Sequence, residues 1–295
     1  MGPRRRVLVT GASGTLGGRL AQLLASAHHV IAIRHRSWPP AGLPAVQADL
    51  LDGASVERAL EATRPDAVVH AATYADADRC QAEPDAARRF NVDATAALAR
   101  LCRARALRLV ALSTDLVLGG DRAWSAEDAR ARPLLVYGET KRAGEEAVLA
   151  AAPEAVVLRV PLVLGRGHGP RATASEAIAW ALGAGRPLRL FTDQHRTPVD
   201  PESIADALLR VLDRPVRGLF HVGGPERLSR HELGLRVARV LGLSTAGIEA
   251  APSSSAAGAP RPADTSLDST RARQELDWTP RPLDDAIRDT RPAAV

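Results

Sequence analysis

Lysine is all but missing from this sequence: of 39 lysine and arginine residues in the 295-residue chain, a single one, Lys141, is lysine. An ammonium kept at one position, where arginine serves everywhere else, suggests a task that a planar guanidinium does not perform. Cysteine is scarce as well, and Cys80 and Cys102 stand too far apart for a metal knuckle or a redox pair, so a reducing cytoplasm is the expected compartment. No apolar run approaches the roughly 18 residues of a membrane span, and Met1 to Arg6 leads into only Val7, Leu8 and Val9 before Thr10 and Gly11, a strand pattern and not a leader core. Aromatic residues make up 3%, so the net charge of +5 comes without a stacking set for nucleic acid. The histidines lack metal-ligand spacing, and neither a Gly-x-Ser-x-Gly elbow nor a Walker loop is found, which sets aside metal, hydrolase and kinase readings.

What is present alternates. Short apolar runs at Arg6–Thr10, His29–Ile33, Ala67–His70, Leu107–Ser113 and Ala155–Val163 read as buried strands, separated by helical stretches near Leu16–Ala27, Ser55–Thr63, Pro84–Arg105 and Tyr137–Ala151. Strand–helix alternation predicts an α/β fold, a doubly wound parallel sheet of Rossmann-like type, with a smaller and mostly C-terminal substrate domain. Residues 1–165 are expected to form the dinucleotide-binding domain, with a return segment near 197–222. Residues 166–196 and 223–295 are expected to form the substrate-binding region. A helix is expected at Pro201–Leu212, a strand at Gly218–Val222, a loop or lid at Ala250–Pro262, and a last helix near Ser269–Leu276.

The first strand runs into Gly11-Ala12-Ser13-Gly14-Thr15-Leu16-Gly17 and then a helix. Glycines at this spacing allow a tight turn, close backbone approach to a pyrophosphate and close helix packing, with the helix N-terminus facing the anion. The second strand ends Ile33-Arg34-His35-Arg36, where an NAD site would place a carboxylate. Arg34 and Arg36 suit a 2′-phosphate, so NADPH is the expected cofactor, with NADH as the alternative.

Tyr137-Gly138-Glu139-Thr140-Lys141 places a phenol and the lone ammonium four residues apart, on one helix face. A nearby ammonium lowers a phenol's pKa, and Tyr137 is expected to hand a proton to a carbonyl oxygen as hydride reaches its carbon. Lys141 is also expected to bond the nicotinamide ribose. Leu112-Ser113-Thr114-Asp115 ends a strand on the ligand edge; Thr114 is the expected carbonyl-polarising hydroxyl, with Ser113, pointing to the opposite face, as the alternative.

The glycine spacing is that of extended short-chain dehydrogenase/reductases. Val69-His70-Ala71-Ala72-Thr73-Tyr74, Asp78, Glu83-Pro84, Phe90-Asn91-Val92, Ser113-Thr114-Asp115, Tyr137-Gly138 with Lys141, Gly144-Glu145, Asp193-Gln194, Pro198 and Arg261-Pro262 together resemble the dTDP-4-dehydrorhamnose reductase branch. The resemblance implies reduction of a 4-keto group on a nucleotide-linked deoxysugar. It implies cofactor contacts at Asp49, Leu50, Ala71 and Ala72, substrate contacts at Tyr74 and, through a diphosphate, at Arg196 and Arg261, and a homodimer through the helices near Pro84–Arg105 and Tyr137–Ala151. Leu116, Leu118 and Val160-Pro161-Leu162 stand where family members usually carry aromatics, so the choice of sugar is open. Two alternatives share the scaffold: a nucleotide-sugar epimerase or dehydratase with retained NAD, and a non-catalytic NADP(H)-binding subunit like the regulatory subunit of methionine adenosyltransferase.

Overall fold

The computed structural model describes residues 3–255 and 261–291. Its centre is a seven-stranded parallel sheet built from β1 (Arg6–Thr10), β2 (His29–Arg34), β3 (Ala45–Gln47), β4 (Ala67–His70), β5 (Arg108–Thr114), β6 (Val156–Val160) and β7 (Gly218–His221), in the order β3-β2-β1-β4-β5-β6-β7. The labelled helices are α1 (Thr15–Leu24), α2 (Gly53–Thr63), α3 (Thr95–Ala104), α4 (Val136–Ala151), α5 (Ala174–Gly183), α6 (Pro201–Asp213), α7 (Arg230–Leu241), α8 (Thr270–Leu276) and α9 (Leu283–Arg288).

Both sheet faces are covered, which explains strands that are apolar nearly throughout. Val7, Val9, Val69, Val110, Leu112, Val156 and Leu158 join Leu20 and Leu24 of α1 and Ile204 and Leu208 of α6. Leu8, Val68, Leu109, Ala111 and Val157 join Leu60 of α2, Leu98 of α3 and Val148 of α4 on the other face. A separate cluster of Leu164, Ile178, Leu233, Val237, Leu283 and Ile287 binds α5, α7 and α9 together. No helix among the described residues is long and apolar enough to cross a membrane.

The doubly wound fold is as expected, and Gly218–His221 does return to the sheet, in parallel register with β6. Four features differ from expectation. β3 is a three-residue edge strand, too short to show periodicity. The helix expected over Pro84–Arg105 is interrupted: Pro84–Arg88 passes through a π-helical turn at Arg89–Ala94 before α3. Helices α7 and α9 were not anticipated. The segment expected as a loop, Ala250–Pro262, begins inside a strand, Ile248–Ala251, parallel to Leu188–Phe191, and residues 256–260 lie outside the described residues.

Helix α4 is tied to the sheet by a buried ion pair. Arg159 of β6 grips Glu145 with Nε at 3.0 Å and Nη2 at 2.7 Å, and donates from Nη1 to His221 Nε2 at 3.2 Å. Burial first, then Arg159, pushes His221 down to about 3, so it stays neutral and accepts. Removing one partner leaves a buried charge uncompensated. Glu145→Ala is therefore expected to lower unfolding free energy by about 3–5 kcal/mol in urea titrations; a loss below ~1 kcal/mol would show that the pair does not hold α4.

Candidate functional site

The carboxyl ends of β1, β2, β4 and β5 converge where a doubly wound sheet binds its ligands. At β1 the turn is as tight as its glycines allow. Gly11 has φ +71°, and a Cβ there would stand 2.5 Å from Ala72 N; one on Gly17 would stand 2.4 Å from Gly11 O. Helix α1 starts at Gly14 with no side-chain cap, so its first N–H groups are left for an anion. Ser13 and Gly14 are exposed, while Thr15 and Leu16 are half-buried. The segment after β6 closes over the turn: His168 N donates to Thr15 O at 2.9 Å, and Thr15 Oγ1 donates to Arg171 O at 3.3 Å.

At the end of β2, Arg34 donates to Gln47 Oε1 at 3.0 Å and stacks over Trp38 at 4.2 Å, and Arg36 is exposed. Asp49 folds its carboxylate back onto Leu51 N at 2.9 Å, and Leu50 packs on the cluster beneath α2. At β4, Ala71 and Ala72 face Gly11, and Ala72 N donates to Thr10 Oγ1 at 3.2 Å. A buried chain supports that loop: Thr10 Oγ1 lies 2.8 Å from His70 Nδ1, whose Nε2 lies 3.1 Å from Thr95 Oγ1. Burial, with the Lys141 charge second, pushes His70 down to about 3 and keeps it neutral.

Helix α4 brings the reactive groups to the end of β5. Lys141 is buried and donates from Nζ to Leu112 O at 2.8 Å. Burial lowers its pKa to about 8, with Glu145 opposing. Tyr137, one turn earlier, is half-buried; desolvation of its phenol pushes the pKa up to about 12, the Thr73 and Thr114 hydroxyls act to lower it, and Asp115 acts to raise it. The expected lowering of the phenol by the ammonium is therefore not what sets its acidity in this structure: Nζ is turned to the strand carbonyl, and burial dominates. Thr114 Oγ1 lies within the Tyr137 environment, donating to Asp115 Oδ1 at 3.2 Å and accepting from Leu116 N at 3.2 Å. Ser113 Oγ is buried without a partner.

Asn91 was quoted in the sequence only within a resemblance, yet it organises the site. It sits in the π-helical turn, where Oδ1 accepts from Thr73 Oγ1 at 3.0 Å and Tyr74 N at 2.8 Å, while Nδ2 donates to Tyr74 O at 3.2 Å and Thr140 Oγ1 at 3.1 Å. The turn presses so closely on α4 that a Cβ on Gly144 would stand 2.4 Å from Asn91 O. Inserting one residue into a helix re-aims a side chain, which a 3.6-residue period cannot disclose.

Each of the expected substrate residues already has partners within the chain. Tyr74 has its backbone fixed by Asn91 and its hydroxyl donating to Glu83. Arg261 pairs with Asp78 at 3.0 Å. Arg196, expected at a substrate diphosphate, is buried and engaged internally: it donates to Pro262 O at 3.1 Å and His195 O at 2.7 Å, and its Nε lies 3.4 Å from Asp115 Oδ2.

A glycine turn on β1 and a Tyr/Lys pair on α4 under a doubly wound sheet define the extended short-chain dehydrogenase/reductase class. The chain belongs to the RmlD substrate binding domain family, whose model matches residues 5–292. It is 32% identical over 99% of its length to dTDP-4-dehydrorhamnose reductase of Mycolicibacterium smegmatis, covering 86% of that protein. It is 30% identical over 91% of its length to methionine adenosyltransferase 2 subunit beta of Pongo abelii, covering 82% of that protein. Among solved structures, a hypothetical dTDP-4-dehydrorhamnose reductase from Sulfolobus tokodaii superposes with a TM-score of 0.82 at 30% identity, covering 92% of this chain and 95% of that one.

The titrations give a pH test. Lys141, lowered to about 8, loses its proton as pH rises through that value, while His70 stays neutral down to about 3. Because native Lys141 binds fewer protons than the unfolded chain between about 8 and 10.5, its contribution to stability increases with pH there, opposite in sign to the loss of its charge. Cofactor turnover should therefore fall above pH of about 8 with no matching loss of thermal stability. A flat turnover profile to pH 10 would remove the ammonium from the reaction.

Proposed function

We propose that this chain is an NADPH-dependent reductase of a 4-keto group on a nucleotide-linked deoxysugar. The observation that carries this reading is that one helix sets Tyr137 by the Thr114 hydroxyl and Lys141 against the Leu112 carbonyl of the same strand, beside a glycine turn into which a Cβ cannot fit. In this reading residues 1–165 with 197–222 hold the cofactor, and 166–196 with 223–295 hold the substrate. Gly11 to Gly17 and the open N-terminus of α1 would receive the pyrophosphate, Arg34 and Arg36 the 2′-phosphate, and Asp49, Leu50, Ala71 and Ala72 the adenine side. The cofactor, when bound, supplies the hydride.

The chain supplies the rest. Thr114 Oγ1 turns its one proton from Asp115 Oδ1 to the carbonyl oxygen and polarises it. Tyr137, neutral because burial raises its pKa, donates its proton to that oxygen as negative charge develops. Lys141 holds positive charge at the nicotinamide side, steadied by the Leu112 carbonyl. Asn91 fixes the Thr73–Tyr74 backbone against which the substrate lies. A homodimer through α3 and α4 belongs to the same reading, to be read by light scattering.

A second reading has an observation of its own: the 30% identity to a methionine adenosyltransferase beta subunit favours a non-catalytic NADP(H)-binding partner. NADPH oxidation separates the two. With a panel of nucleotide-linked 4-ketosugars, Tyr137→Phe is expected to lower kcat by about 10²- to 10⁴-fold while NADPH still binds. No oxidation with any ketosugar would leave the binding-partner reading. Arg34→Ala is expected to raise KM for NADPH at least about tenfold with KM for NADH unchanged; equal change for both would place the arginine elsewhere.

A further inference from the structure

Arg230 opens α7, and its position is set by backbone alone. Leu228–Ser229 pairs antiparallel with His195–Arg196, and Arg230 N donates to Gln194 O at 3.0 Å. This lays residue 230 beside Arg196, whose guanidinium meets Asp115, the neighbour of Thr114.

The pairing in this corner passes over one arginine. Asp115 is engaged by Arg196 and by Thr265 Oγ1 at 2.5 Å. Asp264 is engaged by Arg227 at 2.6 Å. Glu232 caps its own helix, accepting from Ser229 N at 2.7 Å, and Glu226 pairs with Arg236 at 3.3 Å. Arg230 makes no side-chain hydrogen bond or ion pair among the described residues, although it is only partly exposed. Each of these four carboxylates is thus already engaged, three by an arginine and Glu232 by its own helix cap, and Arg230 is left without a partner among the described residues. Burial lowers its pKa to about 10, Arg196 adds to the lowering, and Asp115 opposes it. A partly buried guanidinium beside a like charge is costly unless something anionic arrives.

We infer that Arg230 receives a phosphate group of the substrate, taking the task expected of Arg196, whose donors are engaged internally, and of Arg261, which is paired with Asp78. The inference rests on the reading of this groove as a nucleotide-sugar site, and the ligand class is a nucleoside diphosphate ester.

The test uses the full chain, with dTDP and UDP as probes, thymidine as the phosphate-free control and NADPH as the alternative phosphate source, all by calorimetry. Arg230→Met is expected to weaken the diphosphate that binds by roughly ten- to a hundredfold, to leave NADPH affinity within about twofold, and to keep or raise the Tm of the ligand-free protein. Arg230→Lys should recover part of the loss. Unchanged diphosphate affinity, an equal loss for NADPH, failure of both diphosphates to bind the unaltered protein, or a lowered Tm would each overturn it. A protein that reduces no ketosugar but needs Arg230 for dTDP keeps this inference and loses the reductase reading; a working reductase indifferent to Arg230 does the reverse.

Discussion

A single buried ammonium, Lys141 Nζ held 2.8 Å from the carbonyl of Leu112, is the interaction on which the site depends. It joins α4, which carries Tyr137, to the strand that ends in Thr114, and with the Glu145–Arg159 pair it sets the helix against the sheet. A buried cation needs oxygen partners. Here a sheet carbonyl provides one, and Glu145, one turn on, provides opposite charge while gripping Arg159 of the neighbouring strand. The lone lysine is compact enough for this place, whereas a guanidinium is planar and forked and would require a different set of acceptors.

Around that contact lies a web of small polar groups held by close backbone approach. Gly11 against Ala72, Gly17 against Gly11 and Gly144 against Asn91 are positions where a Cβ would overlap backbone. They let β1, β4, the π-helical turn and α4 come together, while Thr10, His70, Thr95, Asn91 and Thr140 satisfy the polar groups thereby enclosed. Burial governs the titrations throughout: it holds His70 neutral, pushes Tyr137 up and brings Lys141 down. A phenol kept protonated is suited to donate, which agrees with reduction better than with removal of a proton.

Much of this was legible in sequence because apolar runs and glycine spacing are local signals. RVLVT followed by GASGTLG announces a strand, a turn and a helix, and YGETK places two side chains on one face. What was not legible depends on tertiary context. The interrupted helix at Arg89–Ala94 leaves no mark in an apolar pattern, β3 is too short to have one, and the direction of Lys141 follows from where β5 presents its carbonyls. The arginines mislead most, since a chain with so many offers no reason to prefer one. Only the partners reveal that Arg196 is engaged internally and that Arg230 has none among the described residues.

The most direct measurement is the single-turnover rate of hydride transfer from NADPH to a nucleotide-linked 4-ketosugar in Lys141→Arg, which keeps the charge and changes its shape. The rate is expected to fall by at least about a hundredfold with the fold and NADPH affinity retained. A rate near that of the unaltered protein would mean that any cation suffices there, and the role given to the Leu112 carbonyl contact would be contradicted.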